Sequence, residues 1–300
     1  MIWRTKNAEW DFSLPTQRAL VMGILNVTAD SFSDGGKFLD LDAATGRARE
    51  MIEQGADIID IGGESTRPGA EPVSAEIEMS RVLPVIERIS PQLTQKRQLA
   101  QSAQNISQCD ISIDTSKASV ARAAIERGAS IINDVTGLRG DPQMIEVARE
   151  SGAGVIVMHM RGTPRDMQRD PRYENVVADV REFFRQSFAL AVKSGIQPER
   201  IAFDPGIGFG KTAMHNFSLI RQLDALRRAE EIADRPLVLG VSRKWFIGKT
   251  IGSDEIADRD LGTAALTALG RVFGANIFRV HDVKGNVQAL KITEAVLNAP

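Results

Sequence analysis

Two aspartates, Asp114 and Asp204, each end a short apolar run, and Asn133 follows a third such run. Carboxylate and amide groups can pair with a ligand that carries several N–H donors along one edge. Asp114 could instead cap a helix, because Asp is a favoured N-cap and Thr115 and the residues after it have helical composition. A ligand-binding role and a capping role are therefore both open.

Positive charge follows two further runs, with Arg243 and Lys244 after Ser242, and Arg279 shortly before His281. If these runs are the last two strands of a parallel barrel, their loops form the place where barrels recurrently bind phosphate. Arginine and lysine supply the charge that such a site needs. The alternative is a solvated basic rim without a ligand.

Residues 206–212 read Gly-Ile-Gly-Phe-Gly-Lys-Thr and resemble a nucleotide-binding loop at first sight. A P-loop requires glycine at the position occupied by Pro205, and a dinucleotide fingerprint requires glycine where Lys211 stands. We therefore interpret this segment as a tight turn after a strand.

Residues 62–69 read Gly-Gly-Glu-Ser-Thr-Arg-Pro-Gly and combine backbone freedom with hydrogen-bond donors for an anion. An ordinary surface loop is one interpretation. A loop that closes over the substrate is the other, because binding loops of this composition follow barrel strands.

The metal-ligating and thiol residues are few. The three histidines, His159, His215 and His281, lack the spacing of a metal triad, so a bound cation is expected to be Mg²⁺ carried with phosphate. The single cysteine, Cys109, excludes an internal disulfide and is expected to pack in the core.

The elements that must position these residues are eight short runs rich in Val, Ile and Leu, as expected for strands buried on both faces. The runs are residues 19–25, 58–61, 111–113, 131–132, 155–158, 201–203, 237–241 and 277–278. Helical spacing between them predicts helices at residues 42–54, 117–127, 142–150, 173–193 and 261–273. Alternating strands and helices, with polar residues after every run, predict an α/β protein with a (β/α)8 TIM barrel.

An open, doubly wound sheet is the competing architecture. Such a sheet binds its ligands at one switch point, whereas polar residues here follow all eight runs. The length of 300 residues is typical of one barrel, so we expect a single domain over residues 1–300. Residues 90–108 are rich in Gln, Ser and Asn and are interpreted as a polar excursion on the face opposite the active site.

Composition restricts the partners. A net charge of -2 and 5% aromatic residues provide neither a basic footprint nor a stacking platform for nucleic acid. The first ten residues lack the apolar core of a signal peptide, and no run is long enough to span a bilayer. We therefore expect a cytoplasmic protein that binds small molecules, without nucleic acid or membrane partners.

Residues 22–28, Met-Gly-Ile-Leu-Asn-Val-Thr, and residues 30–36, Asp-Ser-Phe-Ser-Asp-Gly-Gly, resemble the opening signature of the dihydropteroate synthase family. Residues 62–69 resemble its second signature. Further matches follow in the family's order at residues 114–117, 132–134, 158–160, 204–206, 242–244 and 279–282. Each motif alone is weak, but eight in the right order, from about Val21 to about Asp282, are specific.

The resemblance implies a pterin-binding TIM barrel that condenses 7,8-dihydropterin-6-ylmethyl diphosphate with 4-aminobenzoate, giving 7,8-dihydropteroate and diphosphate in folate biosynthesis. It assigns catalytic roles to Asp114, Lys244 and Arg279. It also implies a pterin pocket formed by Asp114, Asn133, Met158, Asp204, Lys244 and Arg279.

The other two subsites are carried over in the same way. The diphosphate side maps to Asn26, Ser65, Thr66, Arg67, Arg279 and His281, with Mg²⁺ as cofactor bridging phosphate oxygens and Asn26. The 4-aminobenzoate site, which is also the sulfonamide site, maps to Thr66, Pro68, Phe209, Ser242 and Lys244.

The resemblance also implies a dissociative reaction, in which diphosphate leaves before the amine attacks, and a homodimer. Residues 261–273 and 287–297 are candidates for its interface, but an apolar stripe there is equally explained by packing on the barrel. Two positions depart from the family pattern: Ala29 replaces a common proline, and Trp245 stands where a smaller residue is frequent. Trp245 could alter access to the 4-aminobenzoate site.

Two rival functions share the pterin pocket. A methyltetrahydrofolate-binding methyltransferase domain does not need a diphosphate clamp, and a non-catalytic pterin-binding protein would lose the loop and phosphate residues. The chain retains Asn26, residues 65–68, residues 242–244 and His281, which favours the synthase.

Overall fold

The computed structural model describes residues 1–13, 18–28, 37–66, 69–102, 109–163 and 167–300. A two-stranded antiparallel hairpin, β1 (Ile2–Arg4) and β2 (Glu9–Asp11), precedes eight parallel strands. These are β3 (Leu20–Asn26), β4 (Ile58–Gly62), β5 (Asp110–Asp114), β6 (Ile131–Asp134), β7 (Gly154–Met158), β8 (Ile201–Asp204), β9 (Val238–Leu239) and β10 (Ile277–Val280). All eight predicted runs are confirmed as strands.

The eight strands form one sheet in the order β8-β7-β6-β5-β4-β3-β10-β9. A parallel bridge between Phe203 and Leu237 joins the two outer strands of that order, so the sheet curls into a nearly closed ring. Each strand pairs with its sequence neighbour, and β10 returns to β3. This arrangement confirms the predicted (β/α)8 TIM barrel and excludes the open sheet with a single switch point.

Helices surround the ring, and every predicted helix is confirmed with slightly shifted ends. They are α1 (Lys37–Glu53), α2 (Ala75–Ser102), α3 (Ala118–Glu126), α4 (Met144–Ser151), α5 (Val176–Lys193), α6 (Ala213–Arg221), α7 (Trp245–Ile251), α8 (Ile256–Val272) and α9 (Val283–Leu297). Within the described ranges, no helix combines the length and the apolar character that crossing a bilayer requires.

The interpretation of residues 90–108 as a polar excursion is wrong for its first part, because α2 continues to Ser102. The segment contains many strong helix formers, and the buried Ile89 and Leu93 anchor it on the core. Pro91 lies inside the helix, where it removes one backbone donor without ending the helix. Residues 103–108 lie outside the described residues.

The inner face of the barrel changes character along each strand. One apolar cluster fills the N-terminal half and consists of Trp3, Leu20, Met22, Ile58, Ile131, Ile156, Ala202, Val238 and Ile277. Because successive strand residues alternate between the two faces, the next inward position lies two residues further on. There the inner residues are mostly polar, as with Asp60 after Ile58 and Arg279 after Ile277.

The N-terminal hairpin closes the apolar end of the barrel, and no pattern in the sequence predicts it. Trp3 is completely buried, and its indole N–H donates to the Arg200 carbonyl at 3.0 Å. The Thr5 hydroxyl donates to the buried Asp110 carboxylate at 2.6 Å. The hairpin therefore seals one end, and the opposite end is left to bind ligands.

Candidate active site

The predicted site residues gather at one end of the barrel, where the parallel strands finish. The described members are Asn26, Ser65, Thr66, Asp114, Asn133, Met158, Asp204, Phe209, Ser242, Lys244, Arg279 and His281. Each lies in the last residues of a strand or in the loop that follows it. Arg67 and Pro68, and also Ala29 in the first signature, lie outside the described residues.

Arg279, on β10, connects two carboxylates across the barrel. Its Nε donates to Asp60 at 2.6 Å, and its Nη2 donates to Asp114 at 2.6 Å. The Asn133 amide donates to both oxygens of Asp60, at 3.2 and 3.4 Å. One guanidinium therefore faces two buried carboxylates, and the group carries a net negative charge when both carboxylates are ionised.

Asp60 is a member of this group that the sequence interpretation missed. It lies in the middle of the apolar run Ile-Ile-Asp-Ile-Gly on β4 and is completely buried. A charged residue inside a buried strand requires a charged partner, because an unpaired buried carboxylate is costly. That signal was available in the sequence, but it did not identify Arg279 as the partner.

Burial raises the pKa of Asp114 to about 7, although the Arg279 guanidinium acts in the opposite direction. The Asp60 carboxylate adds to the increase. Asp114 can therefore exist in either protonation state near neutral pH. Residues with such shifted pKa values in a cleft are typical of functional sites.

The alternative in which Asp114 caps a helix is wrong. Helix α3 begins at Ala118, whose backbone N–H donates to Asp141 at 2.9 Å. The Asp114 side chain binds Arg279 instead. Its position therefore favours the ligand-binding role.

Asp204 and Lys244 lie close enough to interact electrostatically, beside the Arg279 group. Asp204 is buried and accepts from the Gly206 backbone N–H at 2.7 Å, while burial raises its pKa and Lys244 opposes that rise. Burial lowers the pKa of Lys244 to about 7, and the Asp204 carboxylate partly offsets this. The Lys244 ammonium also lies 4.3 Å from the centroid of the Phe209 ring. This is a cation–π contact.

The predicted tight turn at residues 206–212 is confirmed. Gly206, Gly208 and Gly210 all adopt positive φ, at 62°, 84° and 63°. A Cβ atom at Gly208 would lie 2.8 Å from Lys244 Cδ. Glycine here permits the turn and leaves space for Lys244.

Ser242 and His281 pair at the ends of β9 and β10. The Ser242 hydroxyl lies 2.9 Å from His281 Nδ1 and accepts from the His281 backbone N–H at 3.1 Å. Arg243 forms a two-pronged ion pair with Asp260 at 2.7 and 2.8 Å. Because Arg243 is paired and Lys244 faces Asp204, these cations do not form the solvated rim considered as an alternative.

The base of the loop after β4 is fixed by a salt-bridge network. Lys117 donates to Glu64 at 2.7 Å and to the buried Glu78 at 2.6 Å. The other oxygen of Glu64 accepts from the Val73 backbone N–H at 2.9 Å. Glu64 therefore connects the start of the loop, directly before Ser65, to the end of the loop at Val73.

The remaining predictions concern packing and metal binding. Met158 is buried beside Asp204 in the strand register, and Cys109 packs in the core as predicted.

The described residues contain no cluster of three or more His, Cys, Asp or Glu side chains that could hold a metal alone. Asn26, at the end of β3, offers an amide oxygen that suits Mg²⁺, which keeps waters and phosphate oxygens as its other ligands.

Comparison with known proteins agrees with this geometry. Residues 22–281 match the family described as pterin binding enzyme. The chain is 43% identical over 280 residues to the dihydropteroate synthase of Synechocystis sp., covering 93% of this chain and 91% of that protein. It also resembles two structures of Xanthomonas albilineans dihydropteroate synthase.

The first of these structures, solved with 4-aminobenzoic acid, has a TM-score of 0.83 and 40% identity and covers 94% of each chain. The second, in complex with 7,8-dihydropteroate, has a TM-score of 0.79 and 37% identity, covering 94% of this chain and 95% of that one. A family match across most of the chain, with relatives of this identity, decides the assignment. The chain belongs to the dihydropteroate synthase family of pterin-binding enzymes.

Proposed function

We propose that the chain is a dihydropteroate synthase, a transferase that joins 7,8-dihydropterin-6-ylmethyl diphosphate to 4-aminobenzoate in folate biosynthesis. The observation that carries this is the buried polar group at the end of the barrel, in which Asp60, Asp114, Asn133 and Arg279 meet. The relatives crystallised with 4-aminobenzoic acid and with 7,8-dihydropteroate support the same reaction.

The pterin ring is proposed to bind across the inner end of the barrel. Its edge alternates hydrogen-bond donors and acceptors, and a donor or acceptor left unpaired in a buried site costs roughly 1 to 3 kcal/mol. Carboxylate, amide and ammonium groups within one pocket can form hydrogen bonds with each donor and acceptor of the pterin edge. The residues of this subsite are Asp114, Asn133, Met158, Asp204, Lys244 and Arg279, joined by Asp60 through its bonds to Asn133 and Arg279.

The diphosphate is proposed to lie nearer the rim, beside the Ser242–His281 pair. Its ligands are Asn26, Ser65, Thr66, Arg67, Arg279 and His281. Mg²⁺, held by Asn26 and the substrate's own oxygens, would neutralise the phosphate charge when bound. The 4-aminobenzoate ring is proposed to lie against Phe209 and Lys244, with Thr66, Pro68 and Ser242 completing its site.

The geometry is suited to a dissociative mechanism. Departure of diphosphate leaves a cation delocalised over the pterin, and the net negative group around Arg279 stabilises that charge. Asp114, with a pKa of about 7, lies within this group and can stay ionised while the cation exists. The amine of 4-aminobenzoate is a neutral nucleophile at pH 7, so the site requires no strong general base.

We further propose that residues 1–300 form one domain and that the protein is a homodimer. The hairpin that seals the barrel supports the single domain, because Trp3 belongs to the barrel's own apolar cluster. Large apolar side chains are exposed on α8 and α9, which pack together. They are Ile256, Leu261, Leu269, Val272, Ile292, Val296 and Leu297. Exposed apolar patches of this kind are typical of protein–protein interfaces.

The test is diphosphate release by the purified protein supplied with the pterin diphosphate and Mg²⁺, with and without 4-aminobenzoate, while dihydropteroate is assayed in parallel. Release coupled to dihydropteroate formation is the expected result. Pterin binding without release, even with 4-aminobenzoate present, would contradict the proposal and favour a non-catalytic binder.

A further inference from the structure

Lys211 is completely buried, although it follows a glycine-rich turn at the rim of the barrel. Its Nζ donates to the carbonyls of Gly206 and Phe209, each at 2.9 Å, and to the His159 carbonyl at 3.3 Å. It also lies 2.9 Å from Nδ1 of the His159 ring. Burial lowers the pKa of Lys211. When it is an ammonium it has three N–H donors, so these four acceptors use its full capacity.

The His159 ring is arranged to receive this lysine. Burial, together with the adjacent Lys211 charge, lowers the pKa of His159 to about 2. The ring is therefore neutral, and Nδ1 is an acceptor, which leaves the proton on Nε2. The Phe183 ring packs edge-on against it at 4.9 Å and holds its orientation.

The carbonyls that Lys211 binds belong to the same turn that approaches Lys244. Phe209 places its ring 4.3 Å from the Lys244 ammonium, and the Ile207 carbonyl accepts a hydrogen bond from Lys244. Within the turn, the Phe209 backbone N–H donates to the Gly206 carbonyl at 3.0 Å, and the glycines at residues 206, 208 and 210 adopt positive φ. Lys211 adds bonds to the Gly206 and Phe209 carbonyls and to His159, and so connects the turn to the end of β7.

We propose that Lys211 is a positioning residue for the 4-aminobenzoate subsite, acting through the turn that carries Phe209 and orients Lys244. The inference rests on the proposed synthase function and adds two residues, Lys211 and His159, to that site. Burying an ammonium without a carboxylate bonded to it is costly and is offset only where every donor is bonded. An apolar residue could fill the same space but would remove the donor to the Gly206 and Phe209 carbonyls.

The first test replaces Lys211 with methionine, which keeps most of the volume and removes the donors. KM for 4-aminobenzoate should rise at least about tenfold, because a hydrogen bond to a charged group exceeds the energy of a tenfold step. KM for the pterin diphosphate should rise less, because Asp114, Asn133 and Arg279 do not contact the turn and only Asp204 and Lys244 of that subsite do. The matched control is Lys193→Met, the same change at an exposed position at the end of α5.

The second test distinguishes two roles of the His159 ring: accepting a hydrogen bond from Lys211 at Nδ1, and filling space in the core. His159→Asn retains an acceptor close to the Nδ1 position, whereas His159→Leu removes it and keeps a buried apolar group. We expect the leucine variant to raise KM for 4-aminobenzoate about threefold or more, because one hydrogen bond is lost while the other bonds of Lys211 remain. The asparagine variant should remain closer to the wild type.

Wild-type turnover tests the proposed function, whereas only the ratios between variants and wild type test Lys211. Unchanged KM values in Lys211→Met would overturn the inference, and so would equal increases for both substrates. If Lys211→Met does not fold, as judged by its circular dichroism spectrum, the two His159 variants decide. Equal KM values for 4-aminobenzoate in those two variants would then reject it.

Discussion

The two ends of the barrel are built from the same strands but have opposite chemistry. At the N-terminal end the inner side chains are apolar, and Trp3 closes the opening. At the C-terminal end the inner side chains include Asp60, Asp114, Asn133 and Arg279, bonded to one another. A step of two residues, about 7 Å along a strand, separates the two layers.

This difference shows how the fold divides stability from chemistry. The apolar end supplies burial and tolerates no charge, except where Thr5 binds Asp110. The polar end brings two carboxylates to one guanidinium, an arrangement that contributes little net stability because desolvation opposes the attraction. Substitutions at the two ends should therefore separate unfolding from loss of activity.

The largest effect is expected at the closed end, from Trp3→Ala. Removing a fully buried tryptophan should lower the free energy of unfolding by about 3 to 5 kcal/mol, measured by urea denaturation. The value of kcat/KM per folded molecule should remain within about twofold of the wild type, because Trp3 lies far from the rim. Trp245→Ala is the matched control, since Trp245 is 41% exposed and should cost much less stability. A large loss of kcat/KM in folded Trp3→Ala would contradict the division.

At the open end, Asp114→Asn should have the reverse effect. We expect kcat/KM to fall about 100- to 1000-fold, the size typical of removing one preorganised electrostatic group. Thermal denaturation should show a folded protein of similar stability. Asp234→Asn, at an exposed position near the other end of the barrel, is the control and should leave turnover unchanged. Wild-type rates in Asp114→Asn would refute the pterin assignment.

The third prediction concerns pH. Because burial raises the folded-state pKa of Asp114 to about 7, above its ordinary value, its contribution to stability is full at low pH and is lost as pH rises through about 7. Activity should change in the opposite direction, since the ionised carboxylate stabilises the pterin cation. The wild type should show a rising limb of kcat/KM up to about pH 7, and the Asp114 contribution to stability should decrease between its ordinary pKa of 3.8 and about pH 7.

Lys244 also titrates near pH 7, so the comparison with Asp114→Asn isolates the carboxylate. The groups that act on Asp114 are Arg279, Asp60, Glu78 and Asp134. We expect the variant to lose the part of the pH-dependent stability that belongs to Asp114. Identical stability profiles for the two proteins between pH 4 and 8 would disprove the shifted pKa.

The smallest effect is expected from Trp245→Leu. Trp245 begins α7 directly after Lys244, but its side chain packs edge-on against Phe246 and is partly exposed. KM for 4-aminobenzoate should change by less than about threefold, because surface substitutions away from buried contacts have small effects. Steady-state kinetics with varied 4-aminobenzoate measures this. A tenfold change would mean that Trp245 restricts access to the site.

The sequence predicted most of the fold because its strands are buried on both faces and are marked by continuous apolar runs. It did not predict the hairpin, whose strands of three residues each lack a period long enough to recognise. It also misjudged residues 90–102, where a polar composition hid a helix. Helix α2 is held by the buried Val82, Val85, Ile86, Ile89 and Leu93, and only Leu93 of these lies in residues 90–102, which is too little to show an apolar face there.

The site was predicted where a polar residue follows a run, as with Asp114, Asp204 and Arg279. Asp60 and Lys211 were missed for a shared reason. Each contacts partners distant in the chain, and neither stands at the end of a run: Asp60 lies within a strand and Lys211 within a turn. A charged residue inside a strand or a tight turn indicates that it has a buried partner, but the sequence does not identify which residue that partner is.

The sequence by itself determined the eight-fold alternation, the end of the barrel at which polar residues collect, and the family to which the chain belongs. These depend on residue type and spacing along the chain, which the sequence contains. Only the tertiary structure decided that Arg279 binds Asp60 and Asp114 together, and that Lys211 binds His159. Pairings of this kind depend on barrel closure, which brings residues as far apart as 60 and 279 within hydrogen-bonding distance.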